Sequence, residues 1–217
     1  LGALDIEPGD EVIVPCMSYI ASATAILTYN AIPVFCEVDE NTYCIDINDL
    51  KKKISKKTKC IIVVHLGGSA AEIDSIIKIA KKLKIKIIED TSQAPFIKYK
   101  NKFLGTYGDV GVFSFTETKT ITSGEGGILI TNSNNSAQKA RLIRNHGEAV
   151  ADKKWSDKKL INIIGQNLRL TEIQASILIE QLKDLEFRNK QRIKNYQYLK
   201  NNLKEIKNLK QPTTIPN

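Results

Sequence analysis

Aromatic side chains are scarce in this sequence: Phe, Trp and Tyr together make up 6% of the chain, with a single Trp, and there is one Met and only two His. The two histidines, His65 and His146, and four cysteines without a CxxC pair (Cys16, Cys36, Cys44, Cys60) supply too few ligands at metal spacing to support a zinc site. The thiols read instead as reduced and mostly buried, as in a cytosolic protein. No apolar run approaches the ~18 residues of a membrane span, and no secretory leader is visible. Aromatics are not interleaved with the basic residues, so a net charge of +8 reads as solvated helix faces, with some pull on phosphate-bearing small molecules, and no nucleic-acid partner is expected. There is no internal repeat or low-complexity segment.

Hydrophobic residues make up 42% of the chain and charged ones 26%, the balance of a globular protein with a sizeable core. The first residues, LGALDIEPGDEV, read as the end of a helix, and QPTTIPN follows a long helical pattern. The chain is therefore expected to be an internal piece of a longer protein.

Short runs of Ile and Val at 11–14, 33–38, 60–65, 85–90, 110–115 and 127–132 predict strands. Several are apolar at successive residues, as strands buried on both faces are. Helices are predicted at 47–54 behind Asp46 and at 72–83, with Ser69 and Glu72 at capping-box spacing. A long amphipathic helix is predicted from Thr171 to about Leu203, carrying the apolar set Ile173, Ile177, Leu178, Leu182 and Leu185. Alternation of this kind gives an α/β architecture, a three-layer sandwich around a mainly parallel mixed sheet.

Ligands of such sheets lie beyond the carboxyl ends of the strands. The polar residues that follow the apolar runs are therefore the candidates: Ser18 and Tyr19, His65, Asp90 to Gln93, and Ser114 with Lys119. Asp90 is an N-cap or turn residue, or a carboxylate awaiting a cationic partner such as a protonated ring nitrogen. Gln93 is a surface amide or a donor to a phenolate oxygen on the same ring. Ser114 is bonded to backbone or faces a phosphate. Lys119 stands apart from the lysine runs, before Gly124, Gly126 and Gly127, which would let backbone approach closely. An amine so placed can form a Schiff base. A Walker loop is excluded, because its Lys follows the glycine-rich turn whereas Lys119 precedes it.

The segments VIVPCMSYIASATAIL, IIEDTSQA, GDVGVFSFTETKTITSGEGG, ARLIRNHG and GQNLRLTEIQASILIEQL resemble, in order and spacing, the DegT/DnrJ/EryC1/StrS family of sugar aminotransferases. The resemblance runs from about Gly9 to Leu203. It implies the large domain of pyridoxal 5'-phosphate (PLP) dependent transferases of fold type I, and an enzyme moving an amino group from an amino acid such as glutamate to a nucleotide-linked keto-sugar. Lys119 matches the lysine that forms the internal aldimine with PLP and shuttles a proton. Asp90 matches the carboxylate on the pyridine nitrogen, Gln93 the partner of the phenolic oxygen, and Ser114 a phosphate ligand. Tyr19 matches an aromatic stacked on the cofactor; its alternative is a core aromatic. Asn167 matches an asparagine that reaches the phosphate of the neighbouring subunit's cofactor, implying a homodimer with shared sites. Arg169 lies close by, suited to anionic substrate. A Gly-Thr or Gly-Ser phosphate turn is expected before Leu1, and Gly67 stands where many members carry an aromatic. By the same resemblance residues 1–203 are the PLP-binding domain, lacking its N-terminal segment and including the long helix that leads out, and 204–217 begin a C-terminal small domain. His65 and His146 are expected to be satisfied core or interface residues. Two alternatives stay open: a nucleotide-sugar dehydratase on the same scaffold, whose members carry a histidine in place of the aldimine lysine, and a non-catalytic binding or regulatory protein.

Overall fold

The computed structural model describes residues 1–148 and 163–214. Six strands form one sheet in the order β2-β1-β3-β4-β7-β8: β1 (Glu11–Pro15), β2 (Ile32–Cys36), β3 (Thr58–Val64), β4 (Lys86–Asp90), β7 (Val110–Ser114) and β8 (Gly127–Ile130). All neighbours are parallel except β8, which runs antiparallel to β7. A separate hairpin pairs β5 (Lys98–Tyr99) with β6 (Lys102–Phe103). Its turn residues Lys100 and Asn101 both have positive φ, the tight hairpin geometry that matches strand twist.

The helices are α1 (Ala21–Leu27), α2 (Ile47–Lys53), α3 (Ile73–Leu83), α4 (Asn134–Arg144), α5 (Glu172–Lys183) and α6 (Leu185–Asn202). From β1 the chain crosses one way to β2, then back past β1 to β3. Right-handed crossovers in opposite directions place their helices on opposite faces. Ile26 of α1 accordingly packs with Val12, Val14, Cys60, Ile62, Val64 and Ile88. Leu50 of α2 and Ile73, Ile76 and Ala80 of α3 pack with Ile13, Ile61, Val63 and Ile87. Alternate residues of β1, β3 and β4 thus feed the two cores, so the centre of the sheet is buried on both sides, as expected of the sandwich, while the edge strands β2 and β8 are more exposed.

Some expectations need correction. The helix over 47–54 forms as expected, with the Asp46 side chain accepting from the Asp49 amide. The Ser69–Glu72 capping box does not form. Glu72 is the N-cap of α3 without a side-chain capping bond, its carboxylate accepting only from the Ser75 hydroxyl at 3.4 Å, while Ser69 ends a short 3₁₀ turn at Leu66–Gly68 and its Oγ is buried without a partner among the described residues. The long C-terminal helix is two helices, broken at Asp184, and the first opens with a capping box of Thr171 and Gln174. Its apolar set does not share a buried face. Leu178 and Leu185 are buried, whereas Ile173 is 75% exposed and Ile177 and Leu182 are also exposed. The face turned inward carries Gln174 and Gln181, which bond the backbone of the preceding loop. Short α1 and α4 and the β5–β6 hairpin are additions to the expected elements.

Candidate functional site

Strand register sets the site. Val64 of β3, Asp90 of β4 and Val112 of β7 are level across the sheet. Asp90 follows Ile88 by two residues and Ser114 follows Val112 by two, so both lie on the face that packs against α1. Two residues along a strand and one strand across separate their Cα positions by roughly 8 Å. The order of the sheet places the carboxyl end of β1 beyond that of β3, and from it the chain passes through Tyr19 into α1 on the same face.

Each candidate side chain has a defined state. Asp90 Oδ1 accepts the Ser92 amide at 3.0 Å, a turn-closing bond, while its second oxygen has no partner among the described residues. Gln93 is exposed, yet its Oε1 accepts the Gly67 amide at 2.7 Å. The amide orientation is thereby set, with its NH₂ pointing away from Gly67 and open to another acceptor. Ser114 is half-buried and makes only long contacts with Thr116, both 3.4 Å. Tyr19 is 73% exposed, which removes the core-aromatic alternative.

Lys119 lies on the loop between β7 and β8. That loop is pinned at its base, where the Phe115 amide bonds Gly126 O at 2.9 Å and the Ser123 amide bonds Phe115 O at 3.1 Å. Gln181 of α5 grips Thr122 twice, accepting from its amide at 3.0 Å and donating to its carbonyl at 2.6 Å. Gln174 Nε2 donates to Glu125 O at 3.1 Å. The glycines serve the loop differently from expectation. Gly124 (φ 80°) has open space around it, and at Gly126 (φ 143°) a Cβ would meet Leu170 Cδ1 at 2.8 Å, so the close approach is by the segment entering α5. In this rigid setting the half-buried Lys119 side chain makes no hydrogen bond or ion pair among the described residues.

Among the described residues, no hydrogen bond or ion pair joins Asn167 to these five. Its segment runs antiparallel to the end of α4, with the Gln166 amide bonding Ile143 O, the His146 amide bonding Gln166 O, and the Leu168 amide bonding Arg144 O. Arg169 donates to Asn145 Oδ1 at 2.5 Å, and the Asn167 side chain is exposed.

The profile of the DegT/DnrJ/EryC1/StrS aminotransferase family matches residues 1–217. The chain belongs to this family. A relative is GDP-perosamine synthase of Escherichia coli O157:H7, 41% identical over 181 residues, which are 83% of this chain and 48% of that protein. Among solved structures, S. venezuelae DesV in complex with a ketimine intermediate is 32% identical with a TM-score of 0.91, matching 100% of this chain and 57% of that one. A GDP-4-keto-6-deoxymannose-3-dehydratase with a trapped PLP-glutamate geminal diamine is 31% identical with a TM-score of 0.87, over 96% of this chain and 57% of its own. The fold is that of PLP-dependent aminotransferases of fold type I. This DegT/DnrJ/EryC1/StrS chain spans about half the length of the curated relatives it matches.

Residue-type reasoning missed Glu89, directly before Asp90. It is fully buried, and its carboxylate accepts from His65 Nε2 (3.1 Å) and from the amides of Gly105 (2.9 Å), Tyr107 (2.6 Å) and Gly108 (2.6 Å). Burial pushes this carboxyl up, but the His65 bond and the Gly108 and Gly105 amides outweigh it and hold it below the usual range. His65 is the satisfied core histidine expected. The signal for Glu89 was an acidic residue inside an apolar strand run, which alternation places on the buried face.

Proposed function

We propose that this chain is the cofactor-binding part of a PLP-dependent aminotransferase acting on a nucleotide-linked keto-sugar, with an amino acid, glutamate in the simplest case, as amino donor. The observation that carries the reading is Lys119: an amine with no hydrogen-bond or ion-pair partner among the described residues, on a loop pinned by α5, beside a sheet mouth that presents a half-satisfied carboxylate. The residues fit the cofactor, since the open Asp90 oxygen, the oriented Gln93 NH₂ and the loosely bonded Ser114 hydroxyl are the acceptor and two donors that a pyridinium, a phenolate and a phosphate require. When bound, the group supplies an electron sink for the carbon that gains or loses the amine.

In this reading Lys119 Nζ would hold the cofactor and would move a proton to and from the reacting carbon as general acid and base. Asp90 would keep the ring nitrogen protonated. Gln93 would donate to the phenolic oxygen and Ser114 to the phosphate, and the exposed Tyr19 ring would help hold the cofactor. Asn167 reaches the phosphate of a second copy, so the protein works as a homodimer with shared sites, in the cytoplasm. Residues 1–203 serve as the PLP-binding domain, and 204–217 lead into a small domain that completes the substrate site.

The similarity to a sugar dehydratase favours a second reading in which the same scaffold removes a hydroxyl. Lys119 itself opposes it, because the resemblance places a histidine there in dehydratases. The deciding experiment adds PLP to the full-length protein, reduces with borohydride, and maps the pyridoxyl tag by mass spectrometry. A tag on Lys119 is expected; an untagged Lys119 in folded protein overturns the aminotransferase reading. Product analysis with a nucleotide-linked keto-sugar then separates transamination from dehydration.

A further inference from the structure

The proposed chemistry leaves Glu89 and His65 unused, yet they form the most completely bonded polar cluster among the described residues. Both are 0% exposed. The His65 ring is held in one tautomer by its two partners. Its Nδ1 accepts the Ala71 amide at 3.1 Å, so Nδ1 carries no proton. Nε2, 3.1 Å from Glu89 Oε2, therefore carries the hydrogen and donates it. A protonated ring would turn a second N–H against the Ala71 N–H, so the geometry suits the neutral form.

Glu89 is thus a buried carboxylate without a cationic partner among the described residues. Three backbone amides and a neutral imidazole fill its four acceptor positions, the condition under which a charge can be kept inside at all. Two segments hang on this group. Gly105, Tyr107 and Gly108 belong to the loop that leads into β7 and so to Ser114. His65, through Ala71, closes the segment 66–71, and within it the Gly67 amide sets the Gln93 side chain at 2.7 Å.

We infer that His65 is a positioning residue that holds Gln93 with its NH₂ presented to the site, acting through Ala71 and Gly67, and that Glu89 serves it by fixing the tautomer that leaves Nδ1 bare for Ala71. The value of this placement to the enzyme rests on the aminotransferase reading; the relay itself does not. It separates two halves of one side chain. In His65→Asn the amide oxygen takes the place of Nδ1 and keeps the Ala71 bond. In His65→Gln the amide takes the place of Nε2 and keeps Glu89, but leaves Ala71 without its acceptor.

Hydrogen exchange of backbone amides, read by NMR on the full-length protein without cofactor, tests the relay. His65→Gln is expected to raise exchange at Ala71 and Gly67 about fivefold, the loss of one hydrogen bond, with Ile62 and Ile88 amides unchanged as the control for folding. His65→Asn is expected to leave Gly67 at its wild-type rate. Equal effects of the two variants at Gly67, or none in either, overturn the relay. Should neither variant fold, the wild-type protein still decides: ¹⁵N shifts are expected to show His65 protonated at Nε2 and bare at Nδ1, and a protonated Nδ1 overturns the assignment. In protein loaded with PLP, His65→Gln is expected to shift the cofactor absorption as Gln93→Ala does, and His65→Asn is not. Failure of PLP to bind would sink the aminotransferase reading while leaving the exchange results standing.

Discussion

Replacing Gln181 by Ala tests whether α5 holds the Lys119 loop in place. The side chain makes two hydrogen bonds to one residue, receiving the Thr122 amide at 3.0 Å and giving to the Thr122 carbonyl at 2.6 Å. Neither backbone group has another partner of this quality, and Leu178 beside them is buried against Phe115 and Ile121, so water does not simply replace the lost amide. At about 1 kcal/mol for each bond, the loss is about 2 kcal/mol. If the loop unfolds with the rest of the protein, the thermal midpoint falls by about 4–8 °C for a chain of this size. If it opens by itself, its open population rises about thirtyfold. Differential scanning calorimetry and the yield of borohydride-fixed cofactor on Lys119 separate the two cases. Lys183→Ala, on the same helix but in an exposed pair with Glu180, is the control and should move the midpoint by little, since such pairs contribute at most about 1 kcal/mol. A Gln181→Ala protein with an unchanged midpoint and unchanged labelling would refute the clamp, and with it the argument that α5 turns its glutamines inward for the sake of this loop.

Glu89 predicts an acid dependence of stability. Its folded carboxyl is held below the usual range, so its contribution is fully present above the unfolded value of about 4.3 and is lost as pH falls through the folded value. Urea midpoints of the wild type should therefore drop in that acidic window more steeply than those of Glu89→Gln, which has no charge to lose; parallel pH profiles would contradict the assignment. The cysteines predict a labelling pattern. Cys16 is exposed, whereas Cys36 and Cys60 are buried and their thiols are pushed up to about 12, chiefly by burial, so at pH 8 only about one in ten thousand of each is thiolate. Native protein should take up iodoacetamide at Cys16 alone on a timescale of minutes, and the other sites should react only in denaturant. Labelling of Cys36 or Cys60 as fast as Cys16 would show that the core is more open than described.

The parts of this structure that could be read in advance are those where residue type alone carries the information. The parallel sheet stands out because Ile and Val fill both faces of its central strands β1, β3 and β4. Asp90, Gln93, Ser114 and Lys119 stand out because each is polar at the end of such a run. What was illegible depends on direction and partner. Helix α1 buries Ser22 and Ala23 with Ile26, and α4 buries only Ser136 and Leu142, so neither shows an apolar stripe. On α5 the isoleucines suggest the inward face, but two glutamines take it, because the loop beneath offers backbone donors and acceptors rather than apolar surface. The expected Ser69–Glu72 box fails for a related reason. His65 claims the Ala71 amide, and the chain enters α3 from a turn that leaves Ser69 behind.

The pairing of Glu89 with Asp90 shows how closely the site depends on register. Successive residues of a strand face opposite sides, so β4 turns one carboxylate into the core under α3 and the next toward the mouth of the sheet. A slip of one residue would exchange them. Asp, shorter by one methylene, would then have to reach the amides of Gly105, Tyr107 and Gly108, and Glu would turn to the opposite face, where Asp90 now lies. The three amides and the Nε2–H of His65 would be left with a poorly placed acceptor, at a cost of about 1–3 kcal/mol for each donor left unsatisfied. Such a penalty is comparable to the whole stability of an ordinary domain, ~5–15 kcal/mol. The buried carboxylate therefore does more than fill its own hydrogen bonds. By making the wrong register too costly, it decides which of two adjacent acids faces the mouth of the sheet, and the ladder from Val64 through Asp90 to Val112 carries that decision to the strands on either side.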